Sequence, residues 1–346
     1  MIFFNNDYSE GCHPSILEKL AATNFTQTPG YGTDDHCKEA AALIKKLCGT
    51  DQLYVHFLVG GTQTNLTVIA AALRPYQAVI SAVSGHINVH ETGAIEATGH
   101  KVIALESDDG KITAAQVERE ARSQSESMDA EHTVQPGMVY ISNPTEYGTI
   151  YSLQELEALH DVCEKYGLML FADGARLGYG LTAAGNDVTL ADMARLCDVF
   201  YIGGTKVGAL FGEAVVISDP AINRDFRYMI KQRGGMLAKG RLLGLQFATL
   251  LKDDLYFKIA AQANDLAQTI RTTLKELGYG FMVENTTNQL FPILPNVLLD
   301  ELEKEFCFSQ MGKVDDTHRA IRICTSWATT RENVEYLCRK LHQLSK

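Results

Sequence analysis

Five short clusters in this chain of 346 residues combine side chains that could do chemistry together. Val59-Gly60-Gly61-Thr62-Gln63 stands directly before a helical pattern. Glycines at a helix start leave backbone N–H groups open to an anion, the helix dipole favours negative charge there, and the Thr62 hydroxyl adds a donor, so the segment suits one phosphate. It is not a nucleotide loop of the G-x-x-x-x-G-K-[ST] type, and an ordinary glycine turn capped by threonine would look the same. The apolar run Leu170-Phe171-Ala172 ends in Asp173, followed by Gly174-Ala175-Arg176. Ligands of open α/β sheets bind beyond the carboxyl ends of strands, where an Asp pairs with a protonated ring nitrogen or simply caps a loop. Lys206 lies in the glycine-rich loop Gly203-Gly204-Thr205-Lys206-Val207-Gly208. Desolvation there would depress its pKa and make a Schiff-base nucleophile, whereas most lysines are merely solvated. His86, with His90 and Glu91 close behind, offers a flat ring for stacking or proton transfer; no H-E-x-x-H pattern accompanies them, and no metal is expected. Arg322 interrupts the apolar run 319–324, where a substrate carboxylate or an internal acid would satisfy it.

These residues need a scaffold that brings them to one edge. Short apolar runs at 78–83, 101–105, 138–142, 168–172, 199–202 and 214–217 alternate with helical patterns at 37–48, 62–73, 153–166 and 189–196. That alternation predicts an α/β fold with a mainly parallel sheet covered by helices on both faces. The polar stretch 123–137 reads as a surface excursion. Beyond about residue 235 a helical pattern runs over 240–277, with a break expected at Leu251-Lys252-Asp253-Asp254, then come short apolar runs and an amphipathic helix at 331–344. The expected division is a large domain, 1–245, and a small C-terminal α+β domain, 246–346.

Composition narrows the function classes. Hydrophobic residues at 46% supply a large core, while a net charge of −11 at pH 7 argues against a nucleic-acid partner. No run approaches the ~18 apolar residues of a membrane helix, and the start lacks a basic segment followed by an apolar one, so a cytoplasmic protein without a membrane partner is expected. The eight cysteines include no C-x-x-C pair and read as reduced thiols.

A phosphate cradle, a strand-end Asp, a loop Lys and a late Arg occur in the order of a pyridoxal-phosphate enzyme with the aspartate aminotransferase type of fold. Over nearly the whole chain the sequence resembles the threonine aldolase and aromatic amino-acid β-eliminating lyase family. Tyr31-Gly32 with Asp34, Gly61-Thr62-Gln63 with Asn65, His86 with Glu91 and Gly93, Asp173-Gly174-Ala175-Arg176, Lys206, Gly234-Gly235-Met236 and Arg322 match its landmarks in order and spacing. The resemblance implies pyridoxal 5'-phosphate held by Lys206 as a Schiff base, Asp173 on the pyridinium nitrogen and His86 stacked on the ring. It further implies Gly61, Thr62 and Thr205 at the phosphate, Arg176 at the cofactor and, with Arg322 and Asn6, at the substrate carboxylate. The implied reaction cleaves L-threonine or L-allo-threonine to glycine and an aldehyde. The implied assembly is a homodimer or homotetramer with active sites at subunit interfaces, where Tyr31 would lie.

Three departures accompany the resemblance. Asn5-Asn6-Asp7 replaces the family's Arg-Ser-Asp. Leu237 stands where the family has a phosphate-binding Arg, which leaves Arg233 or Lys239 to compensate. Asn143-Pro144-Thr145-Glu146-Tyr147-Gly148 replaces Asn-Thr-His-Asn-Gly, so the base for the substrate's β-hydroxyl becomes His86, His90 or Glu146 with Tyr147. β-Elimination, racemisation or transamination of another amino acid stays open within this cofactor class; a non-enzymatic cofactor-binding protein is the reading from outside it.

Overall fold

The structure, a computed structural model, describes residues 1–345. Its centre is a seven-stranded sheet in the order Tyr54–Leu58, Glu213–Ile217, Val199–Gly203, Met169–Asp173, Gln135–Ser142, Gln77–Ala82, Val102–Leu105. Only Glu213–Ile217 runs antiparallel to its neighbours. Every residue of Val199–Gly203 and Glu213–Ile217 is buried, as a sheet covered on both faces requires. One face packs on the helices Asp35–Cys48, Leu153–Tyr166, Leu190–Leu196 and Arg241–Leu251, the other on Gly61–Ala72 and Phe226–Gln232.

The expected strands and helices form within a few residues of their predicted bounds, and Leu153–Tyr166 and Arg331–Leu344 coincide with them. Capping boxes at Thr113, Ser152 and Thr189 fix helix starts. The predicted break is a short 3₁₀ turn, Lys252–Asp254, in which Asp253 and Asp254 both take positive φ (53° and 58°), a conformation Asp tolerates better than bulkier residues. Two expectations change. The surface excursion narrows from 123–137 to 126–134, because Ala114–Ser125 continues into it and Gln135–Ser142 begins inside it. The strand Tyr54–Leu58, unforeseen, forms the sheet edge.

A second apolar core gathers Leu266, Ile270 and Leu274 of the long helix Leu255–Glu276 with Leu299, Ile321, Ile323, Leu337 and, from the chain start, Phe4. Around it lie the antiparallel strands Ile293–Pro295, His318–Cys324 and Ser309–Lys313, and Ile2–Phe3 pairs parallel with Phe306–Cys307. Residues 245 and 246 fall inside Arg241–Leu251, whose Phe247, Leu250 and Leu251 belong to the large core, and that core reaches Ala263. The change of core therefore occurs within Leu255–Glu276, and the chain's first residues join the smaller body.

Candidate active site

Two adjacent parallel strands, Met169–Asp173 and Val199–Gly203, deliver Asp173 and the Lys206 loop to the same sheet edge. Their ends run unusually close. Gly203 N–H donates to the Gly174 carbonyl at 2.9 Å, and a Cβ on Gly174 would collide with the Tyr201 carbonyl oxygen. Glycine at 174 is thus set by close backbone approach.

Asp173 is 4% exposed yet fully hydrogen-bonded. Oδ2 accepts from Tyr140 Oη (2.5 Å) and Asn65 Nδ2 (3.0 Å); Oδ1 accepts from Tyr201 Oη (2.5 Å) and Ala175 N (2.9 Å). Burial pushes its pKa up, but the nearby His86 and the tyrosine hydroxyls more than offset this, so the carboxyl stays below its ordinary value. Asn65 also donates to Glu91 Oε1 at 2.7 Å, and that oxygen meets His86 Nδ1 at 2.7 Å. Burial lowers the His86 pKa, but Glu91 and Asp173 prevail and hold it above the usual value.

The loop after Gly203 closes by Gly204 N and Thr205 N donating to the Gly212 carbonyl, 3.0 and 3.1 Å. Glu213, buried at the start of the next strand, accepts from Gly204 N (3.1 Å) and Thr205 Oγ1 (2.9 Å). Burial drives its carboxyl up to about 8 against the opposing influence of Thr205 and Lys206. Thr205, expected at the phosphate, lines the same cavity as Gly61, Thr62 and Lys206, its hydroxyl donating to Glu213 and accepting from Gly212 N (3.0 Å). The Lys206 amine makes no hydrogen bond or ion pair among the described residues. Burial and Arg176 depress its pKa, with Asp7, Asp173 and Glu213 opposing.

A cavity of about 350 Å³ is lined by Gly61, Thr62, His86, Asp173, Ala175 and Lys206, among others. In the helix Gly61–Ala72 the first hydrogen bond runs from Thr64 N to Gly60 O at 3.0 Å, leaving the N–H groups of Gly61, Thr62 and Gln63 without helical partners. A Cβ on Gly61 would sit 3.1 Å from Tyr201 Oη, the hydroxyl that anchors Asp173. An anion cradle, an acceptor-rich carboxylate and an unpartnered amine in one cavity fit pyridoxal phosphate. Gly61 and Thr62 would hold the phosphate, Asp173 the ring nitrogen and Lys206 the aldehyde carbon.

An adjoining cavity of about 760 Å³ shares His86, Glu146, Arg176 and Lys206 with the first and adds His90, Tyr147 and Arg322. Arg322 donates through Nη2 to Asn5 O (3.0 Å) and Ser309 Oγ (3.3 Å), its Nε is buried without a partner, and no carboxylate pairs with it among the described residues. That leaves it free for a substrate carboxylate. Arg176 lines both cavities, with Nε and Nη2 taken by Asp7 at 2.7 and 2.9 Å. Asn6 turns its Oδ1 to Tyr8 N and Ser9 Oγ and does not line either cavity. Neither do Arg233 and Lys239, while Leu237 lines a separate small cavity beside Tyr31.

The sequence reading passed over Asp7, Tyr140, Tyr201 and Glu213. The two tyrosines occupy alternate strand positions that pattern alone assigns to the core. Glu213 had a signal, a charge opening an otherwise apolar buried strand.

Fold and site together define a pyridoxal-phosphate-dependent enzyme of the aspartate aminotransferase fold type; a Thermus thermophilus aspartate aminotransferase double mutant, 14% identical, shares this fold with a TM-score of 0.73 over 99% of this chain and 91% of its own. The beta-eliminating lyase family matches residues 8–295. Leishmania major threonine aldolase is 46% identical in its solved structure, with a TM-score of 0.98 and both chains covered in full. A low-specificity L-threonine aldolase of a Pseudomonas species is 29% identical across 97% of this chain and 95% of its own length. The chain belongs to the beta-eliminating lyase family and is a pyridoxal-phosphate-dependent lyase.

Proposed function

We propose that the chain cleaves β-hydroxy amino acids, L-threonine and L-allo-threonine, into glycine and an aldehyde. The observation that carries this is the pairing of an unpartnered Lys206 amine, in one cavity with Asp173, with an adjoining cavity whose Arg322 lacks a counter-ion among the described residues. Bound there, pyridoxal phosphate supplies the electron sink that takes up the pair left at Cα when a bond to it breaks. Asp173, kept ionised by its four donors, holds a proton on the ring nitrogen. Arg322 takes the substrate carboxylate in a charge-assisted pair and so sets which Cα bond is aligned to break. Lys206 covers Cα as acid and base. His86 stands over the ring site, braced by Glu91.

Tyr31 supports an assembly of two or four copies with shared sites. It is 47% exposed, at φ 60°, with its carbonyl bound by Arg227 Nη2 at 3.1 Å and Lys231 over its ring. All eight cysteines are free, in keeping with a reducing cytoplasm; among the described residues no helix is long and apolar enough to cross a membrane. In this reading the large body carries the cofactor and the small body contributes Arg322.

The test is one assay on purified protein. A visible cofactor band that responds to L-allo-threonine, with glycine and aldehyde appearing together, is the expected result. A responsive band with pyruvate and ammonia instead would replace aldol cleavage by β-elimination.

A further inference from the structure

We propose that Glu146 is the base that removes the β-hydroxyl proton of the substrate. The inference rests on the aldol-cleavage reading above. The observation is the way this side chain is held. Glu146 Oε1 accepts from Ser142 Oγ at 2.7 Å and from the backbone N–H of His86 at 2.8 Å. Its second oxygen has no partner among the described residues, and the side chain lines both cavities. One oxygen is therefore fixed and the other is left without a partner, on a side chain that lines the cavity it shares with Lys206 and Arg322.

The segment carrying it is rigidly anchored. Thr145 N donates to Thr149 O at 2.8 Å, Thr145 Oγ1 meets Thr149 Oγ1 at 2.6 Å, and Gly148 turns the chain at φ 74°. Asn285 Nδ2 donates to Tyr147 O (2.8 Å) and Thr287 Oγ1 to Gly148 O (2.9 Å), clamping it to the small body. A base held this way needs little reorganisation when the proton moves. Burial, partly offset by the Ser142 hydroxyl, raises its pKa, which strengthens it as a proton acceptor once ionised.

The rival groups are less suited. His86 has Nδ1 taken by Glu91, and its raised pKa favours the charged ring. His90 is exposed, and its ring makes no hydrogen bond among the described residues; its neighbour is the His86 ring, 5.6 Å away.

In the step, Glu146 Oε2 takes the hydroxyl proton and the O–H pair becomes the second bond of the aldehyde C=O. The Cα–Cβ bond breaks, with its pair left at Cα and drawn into the cofactor's sink. Cα then takes a proton from the Lys206 ammonium, and the proton that Glu146 releases to water resupplies the Lys206 amine.

Glu146→Gln keeps an oxygen for both hydrogen bonds and removes only the base. The experiment compares two reactions of the holoenzyme: cleavage of L-allo-threonine, and exchange of the glycine Cα proton in D₂O, which involves no hydroxyl. Cofactor absorbance and thermal midpoint are read alongside. The expected outcome is cleavage slowed by ~10²-fold or more, as for loss of a general base, with glycine exchange, absorbance and midpoint nearly unchanged and cleavage partly restored in Glu146→Asp. Cleavage and exchange falling together, loss of the cofactor band, or full cleavage by Glu146→Gln would each overturn the proposal. So would His90→Asn abolishing cleavage while Glu146→Gln retains it. A wild-type protein that exchanges glycine but releases no aldehyde would sink the aldol reading itself, a different failure from any in the variants.

Discussion

Arg176 and Asp7, 169 residues apart in sequence, form a two-pronged ion pair in which Asp7 is fully buried. Asn288 Nδ2 donates to the same carboxylate at 2.9 Å. One acid thus ties the chain start, the turn after the Asp173 strand and the small body together. Asp7→Ala leaves a buried guanidinium without its counter-charge. We expect a loss of about 3–5 kcal/mol in urea unfolding, the usual cost of breaking a buried pair. An unchanged midpoint would show that water reaches Arg176.

Lys206→Ala should abolish both the cofactor band and turnover. In the wild-type apoprotein, burial and Arg176 hold the Lys206 pKa below the ordinary 10.5. The rate of pyridoxal phosphate capture should therefore rise with pH and level off before 10.5, since only the neutral amine is nucleophilic. A plateau reached only above that value would contradict the depression.

Asp173→Asn removes the charge that four donors converge on. Turnover should fall by roughly 10²-fold or more, the scale for losing one preorganised electrostatic contact. Cofactor binding should weaken less, because the phosphate cradle at Gly61 and Thr62 is untouched. Steady-state kinetics with a cofactor titration separates the two.

Glu91→Gln tests the charge on His86. The His86 pKa is raised above 6.5 in the fold, so the stability contributed by its charged form is fully present below that pH and fades as pH rises through the raised value. The variant should be less stable than wild type at the acid end of a ~pH 6–9 urea series, with the difference shrinking toward the alkaline end. A difference independent of pH would point to lost packing alone.

Gly174→Ala places a methyl against the Tyr201 carbonyl, between two strands that cannot separate without displacing Asp173 and the Lys206 loop. We expect about 1–3 kcal/mol of destabilisation or more from overpacking, with cofactor affinity falling alongside. Retained affinity at full stability would mean that the strand ends give way easily.

Much of this protein was legible in one dimension. Alternating apolar runs and helical patterns specify a mainly parallel sheet, because buried strands must be apolar throughout and amphipathic helices must cover them. Asp173, Lys206, His86, Gly61 and Thr62 stood out because each is a polar or glycine residue at an element end, where local pattern and chemistry coincide. The break before Leu255 was legible for the same reason.

What the sequence could not decide was which partner each polar group would find. Thr205 gives its hydroxyl to Glu213, Arg176 pairs with Asp7 at the wall of both cavities, and Asn6 turns away, because hydrogen-bond partners far apart in the chain are chosen only when strands and loops converge. Tyr140 and Tyr201 look like core residues from their spacing, and only the packing of adjacent strands turns both hydroxyls onto Asp173. Element identity and order follow from local periodicity; the charge state and orientation of the site follow from burial and long-range pairing, which exist only once the chain has folded.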